Sequence, residues 1–179
     1  MKEMGGDGDG ERKPSRRNYQ KSVGAWRKRK GEIGESAFLN KAVSLGFGVA
    51  KPWGESDRYD FILDSGPRLW RVQVKSAYRC SKRGHYLIHT TGESEIPYTP
   101  EEVDVLVAYI IPERVWYVIP VAEIAQIGCI GFFPNSRHKR SRFEKYRDAW
   151  CWLACKTGKT AAQEKCSDGG KCPMKESAS

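Results

Sequence analysis

A chain of 179 residues in which 31 Lys and Arg outnumber 22 Asp and Glu, for a formal net charge of +9, is long enough for one domain with a core and tails and too short for separate recognition domains. The charge points to a polyanionic partner and says nothing about fold. No apolar run approaches the length of a membrane span and the N-terminus lacks the apolar core of a signal peptide, so a soluble cytoplasmic protein without a membrane partner is expected, its 6 cysteines mostly reduced.

Residues Met1 to Glu11 are rich in glycine and acid and offer little to bury, which predicts disorder. From Arg12 to Lys30 the sequence is basic without a single acid, and Tyr19 and Trp26 stand among the charges. Arg16, Arg17, Arg27, Lys28, Arg29 and Lys30 are therefore candidate phosphate contacts, the alternative being a solubilising tail or a lead-in that packs Trp26 on the domain. Residues 1–31 are read as this arm, 32–153 as the folded domain, and 154–179 as a flexible tail.

Gly34 to Gly46 has helical spacing, with Phe38, Ala42 and Leu45 on one stripe and Leu39 and Val43 alongside. Ile33, just ahead of it, is expected to pack back onto it. Glu35 falls near the buried edge, where a carboxylate needs a partner, or it is simply a favourable acid in a first turn. Phe47 to Ala50 reads as a short strand, and Pro52 and Gly54 interrupt the chain before a second strand, Arg58 to Leu63. There Tyr59, Phe61 and Leu63 share one face, and Asp60 and Ile62 the other. Asp64, Ser65, Gly66 and Pro67 form a hairpin turn capped by Asp64. Beyond it Trp70, Val72, Val74 and Ser76 alternate with Arg71, Gln73 and Lys75. A strand face bearing a guanidinium, an amide and an ammonium is either a site wall or a solvated surface.

Gly84 to Thr90 alternates as a strand with His85 and His89 on one face, a metal pair lacking a third ligand or two surface histidines. Thr91 to Pro100 is a polar loop whose sequence does not fix its place. Asp104 to Ile111 is the most apolar run and reads as a central strand, followed by a strand at Arg114 to Ile119 and a Pro-started short helix at Pro120 to Ile124. Tyr109, Trp116 and Tyr117 are assigned to the core. Gly128 to Phe133 reads as an edge strand, and a second basic cluster with Arg137, Lys139, Arg140 and Arg142 leads into an amphipathic helix carrying Phe143, Tyr146, Trp150 and Leu153. Cys151, Cys155, Cys166 and Cys172 lack the tight pairs of a zinc knuckle, leaving a four-Cys site or loose thiols open. Lys156 to Thr160 lacks the glycine spacing of a phosphate loop.

An acid on a first helix (Glu35), an acid on a strand in Tyr-Asp-Phe (Asp60), and Gln73 and Lys75 in Arg-Val-Gln-Val-Lys-Ser resemble the PD-(D/E)XK nuclease superfamily. The likeness is nearer to its group I intron-associated homing endonucleases, in which Gln replaces the second acid. Here Tyr59 stands in the Pro position of the motif. The resemblance implies an α/β fold with a restriction-endonuclease-like core, a central mixed β-sheet flanked by helices. It also implies a metal-dependent endonuclease of double-stranded DNA acting as a homodimer or homotetramer. A Holliday-junction resolvase or repair nuclease of the same fold and a catalytically inactive DNA-binding protein are the alternatives.

Phosphodiester hydrolysis requires charge neutralisation and an activated water, which a divalent ion supplies. Mg2+, with Mn2+ as substitute, prefers a few hard oxygen ligands. Asp60 is the first candidate, with Glu35, the Gln73 side-chain carbonyl and the Val74 backbone carbonyl completing the set. Lys75 is placed to orient water and stabilise the pentavalent phosphorane. Arg71, on the same strand face, joins the DNA contacts.

Overall fold

The apolar runs at Val105–Ile110 and Val115–Pro120 are buried along nearly their whole length and need a partner on both faces of the sheet, which the chain supplies. The computed structural model describes residues 16–155 except 55, 83, 93–94 and 136–141. In chain order the elements are α1 (Arg16–Ser44), β1 (Gly48–Ala50), β2 (Phe61–Asp64), β3 (Leu69–Ala77), β4 (Tyr86–His89), β5 (Val105–Ile110), β6 (Val115–Pro120), β7 (Cys129–Phe132) and α2 (Cys151–Ala154). Single helical turns lie at Val121–Glu123 and Glu144–Tyr146. The main sheet has the order β1-β2-β3-β5-β6. Only β3 and β5 run parallel, so the sheet is mixed and β3 is its centre.

The period-two pattern of β3 divides the core. Trp70, Val72 and Val74 pack with Phe38 and Ala42 of α1, with Val105, Val107, Trp116 and Val118 of the neighbouring strands, and with Trp150, Trp152 and Leu153 near α2. On the other face Leu106, Ala108, Ile110, Tyr117 and Ile119 meet Tyr86, Ile88, Ile130 and Phe132 of the β4–β7 pair, along with Phe143 and Tyr146. This α/β arrangement, a central mixed sheet flanked by helices, is restriction-endonuclease-like in topology. The β2–β3 turn is as expected: Gly66 has φ of +83° and its N–H donates to Asp64 Oδ1 at 2.8 Å.

Several elements differ from the sequence reading. The helix extends back to Arg16, through the basic stretch read as an arm, while residues 1–15 lie outside the described residues. Phe38 and Ala42 are buried as expected, but Ile33, Leu39 and Val43 are exposed because α1 rests on the sheet along a narrow stripe. β2 begins at Phe61 rather than Arg58, although the Asp60 N–H still donates to the Val72 carbonyl at 2.9 Å. β7, expected as an edge strand, pairs with β4 in a separate two-stranded sheet.

The expected helix from Phe143 to Leu153 is broken. Arg147 is extended and bridges to Tyr117, Asp148 has φ of +46°, and the Asp148 N–H donates to the Trp116 carbonyl at 2.9 Å. Further on, Trp152 Nε1 donates to the Val118 carbonyl at 3.2 Å. The segment is thus tied to the outer side of β6, and those bonds replace the intrahelical ones. Phe143, Tyr146, Trp150 and Leu153 are buried all the same.

Candidate active site

Asp60 is fastened to β3 by the local geometry of the β2–β3 pair. Its Oδ2 accepts hydrogen bonds from Gln73 Nε2 at 2.7 Å and from the Val74 N–H at 2.8 Å. Both bonds end on one oxygen, and no other hydrogen bond reaches the carboxylate from the described residues. Oδ1 accepts no hydrogen bond from the described residues, and Asp60 lines the site. Gln73 is 7% exposed, and a buried amide needs partners. Asp60 supplies the main one, with the Val74 carbonyl at 3.4 Å a weak second.

Burial is the largest influence on Asp60 and pushes its pKa up, with the Glu35 charge adding to it; the Val74 N–H, Lys75 and Gln73 pull the other way without cancelling the rise. A carboxylate raised in this way is one that a bound cation would stabilise. Glu35 reaches the same site because α1 approaches β3 closely at Gly34. A Cβ there would stand 3.0 Å from the Ser76 Cβ and 3.2 Å from its Oγ. Ser76 Oγ in turn donates to the Lys30 carbonyl at 3.0 Å, which fastens the helix beside Lys75. The Glu35 carboxylate meets Lys51 Nζ at 2.8 Å, with side chains 30% and 62% exposed. A pair so exposed is worth about 1 kcal/mol or less, which leaves Glu35 open to a stronger cation.

Lys75 lies with its Nζ 5.4 Å from the centre of the Tyr98 ring, and the Arg58 guanidinium is 5.0 Å from the same ring. Tyr98 is 3% exposed. Arg58 also donates to the Ile96 carbonyl at 2.7 Å and pairs with Glu102 at 3.3 Å, so the polar loop around 95–98 is pinned beside Lys75. Glu35, Asp60, Gln73, Val74 and Lys75 all line one cavity of about 590 Å³, which Lys30, Asp57, Arg58 and Tyr98 complete.

The first five are the residues expected from the sequence, whereas Arg58, Lys51 and Tyr98 are not among those expectations. The only signal for Tyr98 was an aromatic side chain between prolines in an otherwise polar loop, Ile-Pro-Tyr-Thr-Pro. Among the described residues no group of three or more His, Cys, Asp or Glu is placed to hold a metal. The hard oxygens here are two carboxylates, an amide carbonyl and a backbone carbonyl. That set fits an ion that keeps several waters.

The expected DNA contacts divide. Lys30 lines the cavity, and Lys28 and Arg29 are exposed on α1. Arg16, Arg17 and Arg27 are placed on α1 by their backbone alone, while Arg137, Lys139 and Arg140 lie outside the described residues. Arg142 donates to the Glu123 carbonyl at 3.3 Å. Arg71 is engaged within the fold: it binds Asp104 through Nε at 3.0 Å and through its backbone N–H at 2.8 Å, and it also donates to the Pro100 and Glu101 carbonyls. Burial alone would raise the Asp104 pKa, yet the Arg71 side chain and N–H outweigh it and hold that carboxyl below its usual range. His85 shares a hydrogen bond with Ser81 Oγ at 2.7 Å, and His89 is exposed. Of the four tail cysteines, Cys166 and Cys172 lie outside the described residues.

The family model described as PD-(D/E)XK endonuclease matches residues 26–150. No curated protein matches the chain at significance. Among solved structures, a bacterial homing endonuclease, I-Ssp6803I, is similar with 31% sequence identity and a TM-score of 0.63, over 77% of this chain and 96% of that one.

Proposed function

The chain belongs to the PD-(D/E)XK endonuclease family, and from that premise we propose that it is a metal-dependent endonuclease of the homing kind, hydrolysing phosphodiester bonds in double-stranded DNA. The observation that carries this reading is the convergence of Glu35, Asp60, Gln73 and Lys75 on one cavity, with Asp60 held by Gln73 and Val74. The likeness to a homing endonuclease over nearly the whole of that chain supports the branch.

Asp60 Oδ1, Glu35, the Gln73 Oε1 and the Val74 carbonyl are the residues that would hold Mg2+, or Mn2+ in its place. When bound, the ion supplies charge neutralisation at the phosphate and a water of lowered pKa. Gln73 holds the Asp60 carboxylate in one orientation without adding a second charge beside it. Lys75 directs its ammonium at the phosphate and stabilises the negative charge that grows on the non-bridging oxygens as the water adds. The Tyr98 ring lies beside Lys75 in the cavity and also carries Arg58. Arg71 has a structural part in this scheme, tying β3 to the start of β5. A double-strand break requires a site for each strand, which favours a homodimer or homotetramer.

The test is cleavage of a supercoiled plasmid, a four-way junction and a duplex library randomised over a long site, by wild type beside Lys75→Ala and Asp60→Asn. The expected result is Mg2+-dependent cutting that recurs at one long sequence and falls by about 10²- to 10³-fold in both variants. Cutting of the junction without sequence preference would select a resolvase instead. Undiminished cutting by folded Lys75→Ala would place the chemistry elsewhere.

A further inference from the structure

Beside the cavity lies a second depression of about 370 Å³ that shares Lys30, Lys75 and Ser76 with it and continues over Tyr78, Arg79 and His89. The two differ in charge. The first contains Glu35, Asp57 and Asp60, whereas no acid lines the second. The cations differ in their partners as well. Lys51, Arg58, Arg68, Arg71, Lys145 and Arg147 each pair with a carboxylate, but Lys30, Lys75 and Arg79 form no ion pair with any described residue. At one side of the depression Trp26 and Tyr78 meet edge to face, with ring centres 6.0 Å apart, and they are 45% and 48% exposed. Unpaired cations in a groove that opens from a phosphate-cleaving site, bordered by exposed rings, match the chemistry of a nucleic-acid strand.

We propose that this groove seats the DNA strand on one side of the scissile phosphate: Lys30 and Arg79 contact successive phosphates, and the Tyr78–Trp26 pair receives a base or sugar of the same strand. The proposal rests on the nuclease reading and extends it by giving the strand a path away from the cut. Arg79 and Tyr78 thereby become substrate-positioning residues, a part that neither the family motif nor the basic arm assigns to them.

The experiment measures binding of the full chain to a labelled random-sequence duplex in Ca2+, across about 50 to 200 mM salt. Wild type is compared with Arg79→Ala, Arg79→Lys and Tyr78→Ala. Arg79→Ala should weaken binding about five- to tenfold and reduce the slope of log affinity against log salt by about 0.9, the value for one phosphate contact. Arg79→Lys should restore the slope. Tyr78→Ala should weaken binding by a similar factor with the slope unchanged, because a stacking contact releases no counterion. An unaltered slope in folded Arg79→Ala, with wild type binding tightly, overturns the groove. Plasmid cleavage by wild type and Lys75→Ala separates the two failures, since Mg2+-dependent cutting that requires Lys75 leaves the nuclease reading intact when the groove fails. A wild type that neither binds nor cuts DNA overturns both.

Discussion

Asp60 is held in a position that is unfavourable for an isolated carboxylate. Burial and the Glu35 charge raise its pKa above the ordinary 3.8, so at neutral pH its ionised form costs the folded state free energy. Asp60→Asn retains an oxygen for Gln73 and Val74 and removes the charge, and it should raise the Tm of the metal-free protein at neutral pH by a few degrees while lowering cleavage about 10²- to 10³-fold. The sign follows from linkage. The advantage is full above the raised folded pKa, shrinks as pH falls through it, and vanishes below the unfolded value, where wild type is protonated in both states. Thermal melts from acid to neutral pH check this, and excess Mg2+ should reverse the order by stabilising wild type alone. A variant less stable than wild type at neutral pH without metal would mean that the charge is well accommodated. Gln73 and Lys75 are legible in the sequence because strand alternation fixes which side chains share a face, and Asp60 joins them through the resemblance of the motif. Tyr98 and Lys51 are not legible, because each reaches the site through a loop whose path depends on contacts distant in sequence.

Among the elements, α1 shows how one missing side chain sets a site. Gly31 and Gly34 are both inside the helix, where glycine costs about 1 kcal/mol relative to alanine. A Cβ at Gly31 meets nothing within 4 Å, whereas one at Gly34 falls 3.0 Å from Ser76. Gly31→Ala should therefore stabilise by about 0.5–1 kcal/mol, and Gly34→Ala should destabilise by about 1–3 kcal/mol as α1 is pushed off β3. Chemical denaturation of the two variants measures the contrast, and equal stabilisation by both would show that the close approach carries no strain. The strands were read well from their composition, since β-branched runs between turns have few other structures available. The stripe Phe143, Tyr146, Trp150 and Leu153 misled because a spacing of three and four is met equally by two short turns pinned to β6. Burial of those rings is satisfied in either form, and sequence periodicity cannot register a backbone bond to another strand. The start of α1 was missed for a related reason: the basic residues of its first half give no apolar stripe to read.

Across the described residues, the ion-paired Arg58 and Arg71 hold loops around the sheet, while Lys30, Lys75 and Arg79, which form no ion pair with a described residue, line the two adjoining depressions. The two outer strands of the main sheet are guarded differently. β1 has three residues, too few to template another strand, while the six residues of β6 form a longer border. The bonds from Arg147, Asp148 and Trp152 occupy that border. An uncovered strand of that length is a template for edge-to-edge addition and aggregation. With that border occupied, a second strand cannot be added to the sheet at β6. Asp148→Pro, which lacks the N–H given to Trp116 and cannot adopt the positive φ at that position, should release this cover. Light scattering and thioflavin fluorescence on warming should then rise well before the wild-type onset. The segment after the basic cluster thus acts as a selvedge, keeping a strand-rich nuclease core from fraying into its neighbours.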